Sequence, residues 1–161
     1  MQVVERMNFT AVDFTVCDFR PTDGRFSAGV DLEQQIRHFE FGTRPDLFDQ
    51  VKAWRQGKDR VDLASHAGHQ VLFPGRRVFP YKFILKHYPM RSPAQAWRKV
   101  FIERRGRFSP RLRARGWHIH YDSVRTDDPF IWKAADLIEF DEHTTRTTYL
   151  TELIAGIGIA R

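Results

Sequence analysis

One cysteine stands in the 161 residues, Cys17, and its isolation excludes an internal disulfide. It lies in an apolar, strand-like run, which marks it as a packing residue rather than a nucleophile, and it points to a reducing, cytoplasmic setting. No apolar run approaches membrane-spanning length, and the first residues do not read as a signal peptide. No nucleophile elbow is present, so a Ser-His-Asp hydrolase cannot be argued. The "AGIGIA" of the tail lacks both a preceding strand and the full glycine spacing of a dinucleotide fingerprint. There is no internal repeat, linker or low-complexity tract, and one domain over residues 1–161 is the expectation.

What is present is an ordinary globular composition, 42% hydrophobic and 29% charged, with a net charge of +6. Residues 97–116 hold eight Lys or Arg and one acid, so this segment carries the whole basic excess. Such a patch serves phosphates, nucleic acid or an anionic membrane surface, and otherwise is a solvated face.

Hydrophobic periodicity outlines the elements. Residues 9–19 alternate as a strand, with Val12, Phe14 and Val16 on one face and Asp13, Thr15 and Cys17 on the other. The Arg20 to Gly24 stretch is turn chemistry. Asp31 and Gln34 open a short helix through Leu32, Ile36 and Phe39. The spacing of Leu47, Val51 and Trp54 predicts a second helix over residues 45–55. Residues 70–73 and 77–79 flank Pro74-Gly75 as a hairpin. Val3, Val4 and Met7 fit the end of a helix at the start, residues 117–121 read as a short strand, and 145–155 as an amphipathic helix.

The stretch 81–95, "YKFILKHYPMRSPAQ", joins a strand to a helix. Ser92 can cap, Pro93 suits the first helical position, and Gln95 completes a capping box, so a helix is expected over 93–105 with Gly106 as its stop. A second, basic helical turn starts at Ser109-Pro110. His87 falls at the strand's carboxyl end, where an imidazole binds a divalent metal or hydrogen-bonds to backbone. Arg91 can clamp a phosphate or meet surface acids. His66 and His69 around Gly68, and His118 with His120, are weak metal signals without a second cluster at zinc spacing. Asp127-Asp128 reads as turn chemistry.

The ordered strings "AVDFTVCDFRP", "HFEFG", "VKAW", "GHQVLF", "RRVFPYKFILKHYPMRS", "RKVFIERRGRFS" and "GWHIHYD" together resemble the C-terminal half of bacterial family 2 glycosyltransferases, over residues 11–122. The resemblance implies an α/β fold, a partial GT-A-like sandwich whose mixed sheet has flanking helices. It also implies transfer of a sugar from a nucleotide-sugar donor to a glycan or lipid acceptor. In such enzymes a D-x-D motif holds Mg²⁺ or Mn²⁺ on the donor diphosphate, and a histidine late in the catalytic domain adds a metal contact. His87 matches that histidine, Arg91, Ser92 and Lys99 would face the diphosphate, and His66, Gly68 and His69 would lie on the acceptor-side loop, with His66 where a small residue is commoner. No D-x-D occurs in the 161 residues; the nearest string, Glu139-Phe140-Asp141, lies beyond the resembling region. The expectation is therefore a fragment-like, acceptor-side portion, inactive without a nucleotide-binding half. The alternatives are a nucleic-acid module, with Trp97, Phe101, Phe108 and Trp117 interleaved among the arginines, or a non-catalytic remnant.

Overall fold

The computed structural model describes residues 8–42, 49–107, 109–114 and 121–145. Strands β1 (Ala11–Arg20), β2 (His38–Phe41), β3 (Asp49–Trp54), β4 (Phe83–His87) and β5 (Ile138–Glu139) alternate with short helices. The helices are α1 (Leu32–Gln35), α2 (Pro93–Trp97) and α3 (Pro110–Arg113), with a π-helical segment (Arg98–Arg104) continuing α2 and a 3₁₀ turn (Ala134–Asp136) before β5. Hydrogen bonding orders the strands β3-β1-β2-β5, and β4 also pairs with β1. Helices and strands are thus mixed around an open sheet, the coarse α/β class expected. No helix among the described residues is long and apolar enough to cross a membrane.

The chain groups into two compact units, the first from Met1–Asp18, Glu40–His87 and Phe140–Arg161, the second from Phe19–Phe39 and Tyr88–Glu139. In the first, β1 is the central strand. Ala11, Val12, Thr15, Val16 and Cys17 are all buried, so both faces of β1 are covered. Along one edge β3 runs antiparallel, with Ala11 opposite Trp54 and Thr15 opposite Asp49. The register jumps between Val12 and Asp13, whose partners are Ala53 and Val51, which leaves Lys52 as the extra residue of a bulge. Along the other edge β4 runs parallel, from Phe14 opposite Phe83 to Asp18 opposite His87. Ala11, Val51 and Val71 form one core cluster, with Trp54, Val61, Phe73 and Val78 against it.

The helix expected over residues 45–55 is corrected here: residues 49–54 are strand β3, and 43–48 lie outside the described residues. Val51 and Trp54 sit at a helical spacing, but both suit a pleated surface, and the exposed edge of β1 decides the outcome. The expected hairpin at Pro74-Gly75 is corrected in its partners. The turn forms, with Gly75 at φ +69° and the Arg76 N–H donating to the Phe73 carbonyl at 3.3 Å. Its arms separate, Leu72 bridging to Asp62 and Val78 to Ala11.

The second unit contains the far end of β1, α1 and the helical segment. Asp31 caps α1 by accepting from the Glu33 N–H at 3.0 Å. The helix stops at Gln35, so Phe39, expected on it, belongs instead to β2. There Phe39 packs beside Phe19, whose other side stacks on Tyr88. Ala96, Val100 and Phe130 are the core beneath the helical segment, with Met90, Phe101, Tyr121, Val124 and Trp132 around them. The helix expected over 93–105 is present, but from Arg98 it widens to π geometry. The strand expected over 117–121 lies outside the described residues except Tyr121, as do the expected helical starts and ends near Met7 and in the tail beyond Thr145.

Candidate functional site

Two groups of polar side chains stand out, one in each unit. In the first, Asp18 and His87 form the last rung of the parallel β1–β4 ladder, at the carboxyl end of β4. The outer ends of parallel strands are where open α/β sheets present ligand-binding groups. His87 Nδ1 lies 2.6 Å from Asp18 Oδ1, with the carboxylate 15% exposed and the imidazole 53% exposed. An ionised carboxylate only accepts, so the ring donates from Nδ1, which leaves Nε2 of the neutral imidazole as an acceptor. This is the arrangement of a metal-binding histidine, whose second nitrogen is oriented by a carboxylate. Among the described residues no group of three His, Cys, Asp or Glu gathers to hold a metal by itself. His87 and its carboxylate partner Asp18 are thus a pair and not a complete metal site.

The expected acceptor-side loop lies in the same unit. Asp62 Oδ1 accepts from the Ala64 N–H at 2.9 Å and the Ser65 N–H at 3.0 Å, and Oδ2 bonds the Ser65 hydroxyl. The Ser65 hydroxyl first, then the two N–H groups, hold the Asp62 carboxyl below its ordinary range. Ala67 at φ +52° and Gly68 at φ +77° turn the chain through the left-handed region. Lys52, displaced by the bulge, donates to the Gly68 carbonyl at 2.6 Å, and burial pushes its pKa down. His66 and His69 are joined through backbone, the His69 N–H donating to the His66 carbonyl at 2.8 Å.

In the second unit the expected Ser92 cap forms, while the Gln95 half of the expected capping box is displaced by one residue. Ser92 Oγ accepts from the Gln95 N–H at 3.2 Å, and Gln95 Oε1 accepts from the Arg91 N–H at 3.1 Å, one residue before the cap. These bonds fix the loop that carries Arg91, whose side chain is exposed. Lys99 braces the same loop by donating to the Pro89 carbonyl at 2.6 Å. Burial lowers the Lys99 pKa, and the charges of Arg104, Arg20 and Arg91 lower it further against the opposing Glu103. So Arg91, Ser92 and Lys99 are brought together at one braced junction of loop and helix. Arg20 was not singled out by sequence reasoning, which read it as turn chemistry, whereas Arg104 belongs to the "RKVFIERRGRFS" string of the resemblance.

Other members of the basic segment hold the fold. Arg98 pairs with Glu103 at 3.1 Å. Arg105 donates to the carbonyls of Tyr121 at 3.1 Å and Asp122 at 3.2 Å and to that of Val124, pinning one loop. Arg113 binds the Asp122 carboxylate. His118 and His120 lie outside the described residues. Comparison with protein-family models, curated proteins and solved structures returns no match.

Proposed function

We propose that the chain is the acceptor-side part of a GT-A-type glycosyltransferase, contributing one metal contact and a phosphate-facing arginine to sugar transfer from a nucleotide-sugar donor to a glycan or lipid acceptor. The observation that carries this reading is the Asp18–His87 pair at the carboxyl end of the parallel ladder. A divalent cation, Mg²⁺ or Mn²⁺, would neutralise charge on the donor diphosphate and on the leaving group. His87 would offer Nε2 to it, while Asp18 holds the ring in the tautomer that leaves Nε2 as acceptor. Arg91, on a loop fixed by Gln95 and Lys99, would donate a bidentate pair to a phosphate. The loop of His66, Gly68 and His69, closed by Asp62 and Lys52, is the acceptor-side element of the proposal.

The nucleic-acid reading has less support. Arg98, Arg105 and Arg113 each serve an intramolecular acceptor, and Phe101 packs against the core of its unit. The test is paramagnetic broadening of histidine ring signals on adding Mn²⁺ with a nucleoside diphosphate. His87 should broaden selectively, His87→Gln should abolish the effect, and Asp18→Asn should weaken the affinity about 10–100-fold. Equal broadening of His38, His66, His69 and His87 would reject the assignment.

A further inference from the structure

A carboxylate or hydroxyl oxygen hidden from water without a hydrogen bond costs stability, and several of them on one face call for a common partner. The first unit gathers such oxygens where β3, β1 and β4 run side by side. Residues directly opposite in a ladder share a face, and so do residues two apart on one strand. Beyond the bulge, Thr15 lies opposite Asp49 on β3, and Asp13 precedes it by two. Asp13, Thr15 and Asp49 therefore crowd one face of the sheet, the face that also carries buried Val51. Lys82, one residue before β4, reaches them from the other side. Its Nζ lies 2.5 Å from Asp13 Oδ2 and 3.2 Å from Asp49 Oδ1, so two carboxylates converge on one cationic point. Two acids around one base leave the group with a negative charge in excess. Asp13 Oδ1, the oxygen turned away from this bond, is buried and makes no hydrogen bond. Thr15 Oγ1 is in the same condition, on a residue only 1% exposed. That hydroxyl takes no part in the ion pair, so it is an independent sign of a missing partner on this face.

We propose that Asp13, Thr15 and Asp49 form a calcium site, for which the Lys82 ammonium competes as a built-in cation. Carboxylate and hydroxyl oxygens are the ligands a hard cation takes, and water completes its shell. Calcium accepts irregular oxygen sets at about 2.3–2.6 Å, whereas magnesium demands a near-ideal octahedron at about 2.0–2.1 Å. The unequal 2.5 and 3.2 Å reach of the two carboxylates favours calcium. Binding moves the ammonium aside; its long stem is 29% exposed and can carry the charge to water. The two carboxylates then balance the two charges of the ion. The site uses neither His87 nor Asp18 and needs no nucleotide, so it stands apart from the sugar-transfer reading.

The test is calorimetric titration of the 161-residue chain with Ca²⁺, without nucleotide. Wild type should bind weakly and saturably. Lys82→Met removes the competing ammonium and should tighten binding by about tenfold or more. On that background Asp13→Asn should weaken binding by about tenfold or more and Thr15→Val by about threefold. Asp59→Asn, at an exposed acid of the same unit, should change it by less than about twofold. Thermal scans give a second reading. Lys82→Met should melt below wild type in chelator and recover on adding Ca²⁺. Thr15→Val should melt no lower than wild type in chelator, because it removes a buried hydroxyl that has no partner. Folding of Lys82→Met only in Ca²⁺ supports the site, and Lys82→Gln takes its place if neither condition yields folded protein. Binding that survives Asp13→Asn, equal losses in Asp13→Asn and Asp59→Asn, or a lysine variant that Ca²⁺ neither binds nor stabilises overturns the site.

Discussion

Replacing Phe19 by alanine removes a ring that is 1% exposed and held on two sides. Its centroid lies 5.6 Å from Phe39 and 4.7 Å from Tyr88, the latter stacked with only 25° between the planes. The expected cost is about 3–5 kcal/mol, the transfer of the lost ring plus the cavity it leaves. Within that, the two ring contacts account for about 0.5–1.5 kcal/mol each beyond burial. Domains of this kind are stable by about 5–15 kcal/mol, so the substitution takes a large fraction of the total. At this chain length each kcal/mol moves the thermal midpoint by about 2–4 °C, and the predicted fall is about 6–20 °C. Phe19→Leu keeps most of the volume and loses the ring contacts, so it should fall about halfway between. Urea melts followed by circular dichroism measure both, and an unchanged m-value shows that the loss is stability rather than altered cooperativity. A Phe19→Ala variant within about 1 kcal/mol of wild type would refute the packing argument. So would a leucine variant as damaged as the alanine one.

Cys17 is fully buried, and burial first, then the charge of Asp18 against that of Lys86, pushes its thiol from 9.0 up to about 12. A pKa raised by folding gives stability that is whole below pH 9 and is lost as the pH climbs toward 12, because the unfolded thiol ionises first. Wild type should lose about 1.4 kcal/mol more than Cys17→Ala between pH 8 and pH 10 in urea melts, and parallel losses would dismiss the effect. A thiol reagent at pH 8 should react only at the rate of unfolding. Lys82 bridges Asp13 and Asp49; burial draws its pKa down, but the bond and charge of Asp13 with those of Asp49 outweigh it and leave the pKa raised. Its stabilisation is therefore present below pH 10.5 and lost above. Lys82→Met should cost about 1–3 kcal/mol at pH 7, reduced from a fully buried pair because Asp49 is partly solvated. Adding Asp13→Asn should recover part of that loss in a double-mutant cycle, and strictly additive costs would deny the bridge.

The elements legible in the sequence are those whose signal is local. Strands β1 and β4 alternate over residues close together, and the caps at Asp31 and Ser92 place the acceptor two or three residues from its N–H. Strand β3 was not legible because Leu47, Val51 and Trp54 satisfy a helical period. What overrides that period is the unpaired edge of β1, several turns of chain away. Phe39 misled in the same way, since it continues the α1 pattern and yet pairs with Ile138, about a hundred residues on. At Pro74-Gly75 the turn was local and readable, while the partners of its arms, Asp62 and Ala11, were not.

The candidate sites divide along the same line. His87 could be marked from its place at a strand end, but the carboxylate that orients it is 69 positions away in sequence, and only the parallel register brings Asp18 opposite it. A parallel pairing leaves no turn signature between its strands, so no spacing announces the partner. The face that Arg104 shares with Lys99 was hidden for a different reason. Helical reasoning groups residues three and four apart, and on that rule Lys99 and Arg104 point away from each other. The change to i+5 bonding after Trp97 puts them on one face. What then distinguishes Lys99 and Arg104 from the other arginines of the segment is the partner each one has. Arg98 has Glu103, Arg113 has Asp122 and Arg105 has three carbonyls, whereas the Arg104 Nε is buried without an acceptor. A basic run thus contains cations that clamp the fold beside others that do not, and only partner assignment separates them.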